Sequence, residues 1–162
     1  MLYNSTSMKP LIIQIHKRLL KNKKTIAVAE SCTGGLLSKL LTDQSGSSKY
    51  FLLGLVTYSN TAKTTILKVP PSLIVNNGAV SANVALAMAK QVRKIAKTDF
   101  GIGITGIAGP TGGTSSKPVG TVYACVCSKN RTLCKKFRSK GTRAMVRNAA
   151  AAKALTLLKR LL

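Results

Sequence analysis

Between Thr25 and Leu41 the hydrophobic pattern changes character within a few residues. Thr25 to Ala29 is a short continuous apolar run of strand type; it halts at Glu30-Ser31, passes Gly34-Gly35, and resumes as Leu36, Leu37, Leu40 and Leu41 at helical spacing. A strand that turns directly into a helix belongs to a sheet covered by helices, so the chain is of the α/β class. The flanking segments agree. Pro10 to Lys21 places Leu11, Ile12, Ile15, Leu19 and Leu20 on one face of an amphipathic helix. Gln44 to Ser48 is loop, and Tyr50 to Tyr58 alternates as a buried strand would. Ser59-Asn60 caps a short helix from Thr61 to Leu67 that Pro70-Pro71 closes, and Asn76-Asn77-Gly78 reads as a turn. Ser81 caps a long helix running to Lys97, with Val84, Met88, Val92 and Ile95 on one face. Asp99 to Thr105 is a glycine-rich strand, and Gly106 to Pro118 is a loop long enough for a binding role. Val119 to Cys127 and Thr132 to Phe137 form a hairpin around Lys129-Asn130, and Thr142 to Leu162 is a closing helix. The predicted architecture is one three-layer α/β/α domain over residues 9–162, with a mixed central sheet helix-covered on both faces, behind a tail of residues 1–8. A length of 162 residues with 45% hydrophobic content suits one such core.

Charge narrows the chemistry. Lys and Arg number 26 against 3 acidic residues, a formal net charge of +23, which predicts attraction to polyanions without naming one. With no Trp, 4 Tyr and 3 Phe, there is no stacking platform for single strands and no recognition-helix motif, so nucleic-acid binding is expected to be non-specific at most. The first residues do not form a secretion leader and no run has the length of a membrane span, so a cytoplasmic protein is expected. Glu30, Asp43 and Asp99 are the only carboxylate side chains. Paired-carboxylate mechanisms and carboxylate-rich magnesium sites therefore have little to draw on, and acid-base chemistry falls to Lys, Tyr, Ser or Cys. Cys32, Cys125, Cys127 and Cys134 lack C-x-x-C spacing and read as reduced thiols. The lone histidine, His16, borders the apolar stripe of the first helix, so a tetrahedral zinc site lacks ligands and no metal is expected.

Four constellations remain. In the turn Glu30-Ser31-Cys32-Thr33-Gly34-Gly35, Ser31 stands where the unpaired amides opening a helix offer a positive field and an oxyanion hole. The alternative reading is that Ser31 or Thr33 caps that helix, the glycines allowing the bend; Cys32 is a rival nucleophile with no histidine beside it. Tyr58-Ser59-Asn60-Thr61-Ala62-Lys63 sets a phenol at a strand end and an amine within the next helical turn. A desolvated lysine in a positive environment serves as a base for serine, although in so basic a chain a lysine there is also an ordinary solvated one. Gly101 to Gly106 spells G-x-G-x-x-G, but it runs through a strand into a loop with no acid after Asp99, so it is not a dinucleotide fingerprint. The loop Thr105 to Gly113 instead exposes amides to which an anionic ligand can come close. Arg143 and Arg147, four apart, would share a helix face and could grip a phosphate or simply be solvated.

Taken together, AESCTGG (29–35), GSSKYF (46–51) with VTYSNTAK (56–63), GAVS (78–81), TGIAGPTGG (105–113) with KPVGTVY (117–123), and GTRAMVR (141–147) resemble the CinA C-terminal domain family of nicotinamide mononucleotide deamidases, from about residue 9 to the end. The resemblance implies an amidohydrolase that converts nicotinamide mononucleotide to nicotinic acid mononucleotide and ammonia in pyridine nucleotide salvage, with no metal or organic cofactor. It implies Ser31 as nucleophile, Lys63 as base and Tyr58 as proton relay or orienting group. The amides of Cys32 and Thr33 would receive the oxyanion and Glu30 would orient Lys63 or Tyr58. Gly34, Gly35, Thr105, Gly106, Gly109 and Gly112 would line the nucleotide site, with Arg143 a phosphate contact. Relatives suggest a homodimer, and the expected partner is a small-molecule nucleotide. The alternative is a non-catalytic basic protein that binds nucleotide or nucleic acid, linked to competence or DNA damage. Two departures from the family pattern stand out: Leu53 replaces an expected glycine before Gly54, and the long helix after Ser81 lacks acidic residues. Many relatives carry a large N-terminal domain with a pyrophosphatase-like role, for which this length leaves no room, so that activity is not expected.

Overall fold

Five strands, β1 (Ile26–Glu30), β2 (Phe51–Val56), β3 (Phe100–Gly106), β4 (Thr121–Cys127) and β5 (Thr132–Arg138), form one sheet in the order β2-β1-β3-β4-β5. The structure, a computed structural model, describes residues 5–162, and side chains from Met8 onward. β1 runs parallel to both β2 and β3, whereas β3, β4 and β5 are successively antiparallel, so the sheet is mixed as expected. Six helices cover it: α1 (Ser5–Lys21), α2 (Leu36–Thr42), α3 (Asn60–Thr65), α4 (Pro71–Asn77), α5 (Ala82–Ala96) and α6 (Arg143–Leu161).

Strand alternation assigns each face its partner. Ile26 and Val28 of β1, Ile102 and Ile104 of β3 and Val122, Ala124 and Val126 of β4 point into a core shared with α1, α2 and α6. Ala27 and Ala29 point the other way, toward Val84, Met88 and Val92 of α5, Ile74 of α4 and Leu67 just past α3. Each fully buried aliphatic side chain contributes roughly 1.5–3 kcal/mol by leaving water. The α5 face is built from small residues because the helix backbone lies directly on the sheet. A Cβ at Gly101 would stand 2.1 Å from the Ala89 carbonyl oxygen, and one at Gly103 2.2 Å from that of Ala85. The G-x-G-x-x-G pattern therefore serves helix–strand approach in β3. Ser59, Ser81 and Thr142 cap α3, α5 and α6, their hydroxyls accepting from the amides of Ala62, Val84 and Met145.

Several expectations need correction. α1 starts at Ser5 rather than Pro10 and Met8 is buried, so residues 5–8 belong to the helix and not to a tail; residues 1–4 lie outside the described residues. Pro70-Pro71 does not merely end α3: Pro71 opens α4, where its missing N–H is no loss, and Gly78 closes it. β2 is an edge strand whose Leu52 and Val56 are each 50% exposed, not a strand buried on both sides. Ile95 is also exposed, at the rim of the α5 stripe. Cys125 and Cys134, read as free thiols, stand directly opposite on β4 and β5 and form a disulfide; sequence spacing conceals a pairing that cross-strand register creates. Cys32 and Cys127 are free and buried. Among the described residues no helix is long and apolar enough to cross a membrane, and no three His, Cys, Asp or Glu gather as a metal site.

Candidate active site

The chain order reverses between β1 and β3: the connection from β1 leads outward to β2, and β3 lies on the other side. The carboxyl ends of these strands open a crevice of the kind in which open α/β sheets bind ligands. Ser31 enters it directly after β1, its amide donating to the Ile104 carbonyl at 3.0 Å. The turn closes when the Gly34 amide reaches the Ser31 carbonyl, at 3.1 Å. Gly34 (φ 57°) and Gly35 (φ 93°) occupy left-handed conformations there, so they build the turn and do not line the cleft.

Glu30 is fully buried beneath this turn. Its Oε2 accepts from the amides of Gly35 (3.1 Å) and Leu37 (3.0 Å), and its Oε1 accepts from the amide (2.8 Å) and hydroxyl (2.6 Å) of Ser38. Gly35 has no side chain to cap α2, so the carboxylate satisfies the open first-turn N–H groups from below. Glu30 thus anchors α2; it has no hydrogen bond to Lys63 or Tyr58, contrary to the orienting role expected from the sequence.

Lys63 of α3 is 1% exposed, and its Nζ lies 3.2 Å from Ser31 Oγ, 2.9 Å from the Thr57 carbonyl and 3.3 Å from the Tyr58 carbonyl. Burial lowers its pKa below the ordinary 10.5, with no carboxylate at hand to oppose the shift. Protonated, the amine donates to all three oxygens; once it loses a proton, two N–H bonds stay on the carbonyls and the lone pair can face the Ser31 hydroxyl. Tyr58 brings its backbone, not its phenol, to Lys63. The phenol is 58% exposed at the cleft mouth and accepts from Arg143 Nη2 at 2.8 Å.

Cys32 points into the core, and burial pushes its thiol up to about 12, which removes it as a rival nucleophile at neutral pH. The amides of Cys32 and Thr33 make no hydrogen bond to another protein group among the described residues. Thr33 is buried outside the cleft, and its carbonyl accepts from Arg147 Nε (3.1 Å) and Nη2 (2.7 Å). Arg147 is therefore tied to the nucleophile turn, while Arg143 lines the cleft and donates from Nη1 to the Gly109 carbonyl at 2.8 Å. The two arginines share a helix but do not form one clamp.

The far wall comes from the end of β3 and the loop beyond it. Thr105 Oγ1 donates to the Ala79 carbonyl at 2.8 Å, fastening the segment before α5 to the strand end. Gly106, Gly109 and Gly112 line a cleft of about 280 Å³ together with Ser31, Tyr58 and Lys63. Sequence reasoning missed Asn60, Val80 and Thr111 in the same wall. Asn60 reads as a helix cap, and Val80 lies within the family-like GAVS segment without chemistry of its own to mark it.

Comparison with known proteins fits this arrangement. The family model described as the CinA C-terminal domain matches residues 8–162. A CinA-like protein of Geobacter sulfurreducens is 49% identical over 144 residues, 88% of this chain and 35% of its own length. This chain spans about a third of the length of the curated relatives it matches. The crystal structure of the competence/damage inducible protein CihA from Agrobacterium tumefaciens superposes with a TM-score of 0.93 at 34% identity, over 99% of this chain and 98% of that one. A CinA superfamily protein from Escherichia coli gives 0.93 at 32% identity, over 100% of this chain and 94% of its own. With so much of the chain matched in sequence and fold, this protein belongs to the CinA C-terminal domain family.

Proposed function

We propose that the chain is a serine amidohydrolase that converts nicotinamide mononucleotide to nicotinic acid mononucleotide and ammonia. The observation that carries this reading is the 3.2 Å contact between a buried, uncompensated Lys63 amine and Ser31 Oγ. Lys63, neutral and held by the carbonyls of Thr57 and Tyr58, takes the Ser31 proton as Oγ attacks the carboxamide carbon. The free amide of Cys32, which lines the cleft, receives the developing oxyanion, and Thr33, buried outside the cleft, supports the turn instead. Lys63 then returns the proton to the leaving nitrogen, ammonia departs, and water attacks the acyl-serine with Lys63 again as base.

Ala79, Val80 and Ile107 give the cleft an apolar side for the pyridine ring. Arg143 has N–H donors left beyond those on Tyr58 and Gly109, and with the amides of the Gly109–Gly112 loop it meets the phosphate. Tyr58 then orients Arg143 and needs no part in proton relay. The reaction as drawn uses no cofactor and belongs to pyridine nucleotide salvage. Pairing of two copies along the open β2 edge is supported by exposed Leu52 and Val56.

Ammonia release from nicotinamide mononucleotide, followed for wild type, Ser31→Ala and Lys63→Met, tests the reading. Both variants should fold and lose activity by about 10³-fold or more. Turnover by Ser31→Ala equal to wild type would refute the nucleophile. The non-catalytic alternative draws on the +23 charge, yet the cleft wall holds only two cations, Lys63 and Arg143.

A further inference from the structure

At the other end of the sheet, two confluent hollows of about 390 and 600 Å³ lie between the end of α5 and the β4–β5 turn. They share Arg93, Lys97, Thr98, Ser128, Lys129 and Asn130, and so form one groove. Of its 14 lining residues 7 are Lys or Arg, against 26 of 162 in the whole chain, a threefold enrichment. One acid, Asp99, is present, and it is already held by Lys24 at 2.9 Å and by Thr25.

Charge on this scale costs stability unless something neutralises it. Lys90 and Lys94, and Arg93 and Lys97, are like-charged pairs four apart on α5, each destabilising by a few tenths of a kcal/mol. The helix dipole favours cations in the last turn only, so it does not account for Lys90. Lys97 also holds a left-handed C-cap conformation (φ 52°) that usually goes to glycine. Across the groove the hairpin turn is locked, the Ser128 amide donating to the Arg131 carbonyl (2.8 Å) and the Arg131 amide to Ser128 Oγ (3.1 Å). Lys129 and Arg131 are thereby presented on a fixed frame.

We propose that this groove binds the phosphate backbone of a nucleic acid, separately from the catalytic cleft. Its cations span two joined hollows, more than one phosphate group would engage. Its cations face one another across a concavity between α5 and the β4–β5 turn, which suits a strand of phosphates entering it better than a flat anionic bilayer, and its apolar members, Phe100 and Leu161, are not exposed to insert into one. No exposed aromatic lines it, so bases are not stacked and recognition is sequence-tolerant.

Binding of the 162-residue chain to a labelled mixed-sequence DNA duplex of about 20 base pairs, followed by anisotropy from roughly 50 to 300 mM KCl, tests this. The groove variant Lys94→Gln/Lys97→Gln/Lys129→Gln/Arg131→Gln is compared with Lys135→Gln/Lys136→Gln/Lys153→Gln/Arg160→Gln, which removes the same charge from another exposed face. The groove variant should bind about 100-fold more weakly near 0.1 M salt, with a log–log salt slope shallower by about 2 to 4; the control should stay within about threefold of wild type. Both should keep the wild-type far-UV circular dichroism and unfold cooperatively, which shows that they fold and separates this proposal from the fate of the catalytic one. Equal losses by the two variants would reduce the binding to net charge and overturn the proposal. Absence of duplex binding by wild type near 0.1 M salt would also overturn it, as would groove-dependent adsorption to phosphatidylserine vesicles in its place.

Discussion

Glu30→Gln keeps the size of the buried side chain and removes its charge. The carboxylate accepts three amides from the start of α2 and the Ser38 hydroxyl, with no exposure to water. A glutamine has one acceptor oxygen. Its least costly orientation leaves that oxygen with the Gly35 and Leu37 amides and turns the NH2 toward Ser38, whose hydroxyl rotates to accept. The Ser38 amide is then orphaned, at about 1–3 kcal/mol, and the two surviving bonds lose roughly 1 kcal/mol each as they cease to be charge-assisted. A loss of about 3–5 kcal/mol follows, or a Tm lower by about 10 °C for a domain of this size. Urea and thermal unfolding of the two proteins measure it. A loss below about 1 kcal/mol would refute the anchoring role. Activity gives a second check: because Glu30 does not touch Lys63, the variant should lose turnover as the turn loosens while its pH–rate profile stays in place. A displaced profile would return Glu30 to the orientation of Lys63.

The rate itself should rise with pH up to the Lys63 pKa, which burial places below 10.5, and Lys63→Arg, always charged, should be inactive; a flat profile would exclude a neutral-lysine base. Because the folded pKa is depressed, the buried amine penalises the fold fully below that pKa, and the penalty fades as pH rises to 10.5. The stability gained by Lys63→Met should shrink over the same window in pH-dependent denaturation. Gly103→Ala sets a Cβ 2.2 Å from the Ala85 carbonyl oxygen and 2.6 Å from the Ala89 nitrogen, so thermal unfolding should reveal a loss of about 3 kcal/mol or more. Under denaturing, non-reducing conditions two thiols should titrate, Cys32 and Cys127, and four would disprove the Cys125–Cys134 bridge. In the native protein Cys32, at about 12, should resist alkylation near pH 8.

The fold was legible where periodicity carried it. The strand–turn–helix at Ser31, the glycine-rich β3 and the hairpin all follow from local pattern, and the observed strands fall within a few residues of the expected ones. What escaped depends on partners remote in sequence. α4 hides in Pro70 to Gly78 because the proline pair reads equally as a stop and as a start. That β2 lies at an edge is a property of strand order, to which its own alternating residues are blind. The disulfide needs the register that sets Cys125 opposite Cys134. At the site, sequence pointed to Ser31, Lys63 and Arg143, but the role it gave Glu30 failed because the open amides of α2 compete for the one carboxylate nearby.

The site's own electrostatics follow from the scarcity of acids. Lys63 ends on the carbonyls of Thr57 and Tyr58, Arg147 on that of Thr33, and Arg143 on that of Gly109 and a phenol. Backbone dipoles take the part that carboxylates play elsewhere, and no composition count can disclose them. Both ion pairs among the described residues, Lys24–Asp99 and Lys39–Asp43, lie outside the cleft wall. Short contacts to buried carbonyls are weakly screened, so kcat should hold steady from roughly 50 to 300 mM KCl. Arg143, exposed at the mouth, is screened, so KM for an anionic nucleotide should rise over the same range. A kcat that falls steeply with salt would mean that Lys63 depends on a solvent-exposed charge rather than on the carbonyls that surround it.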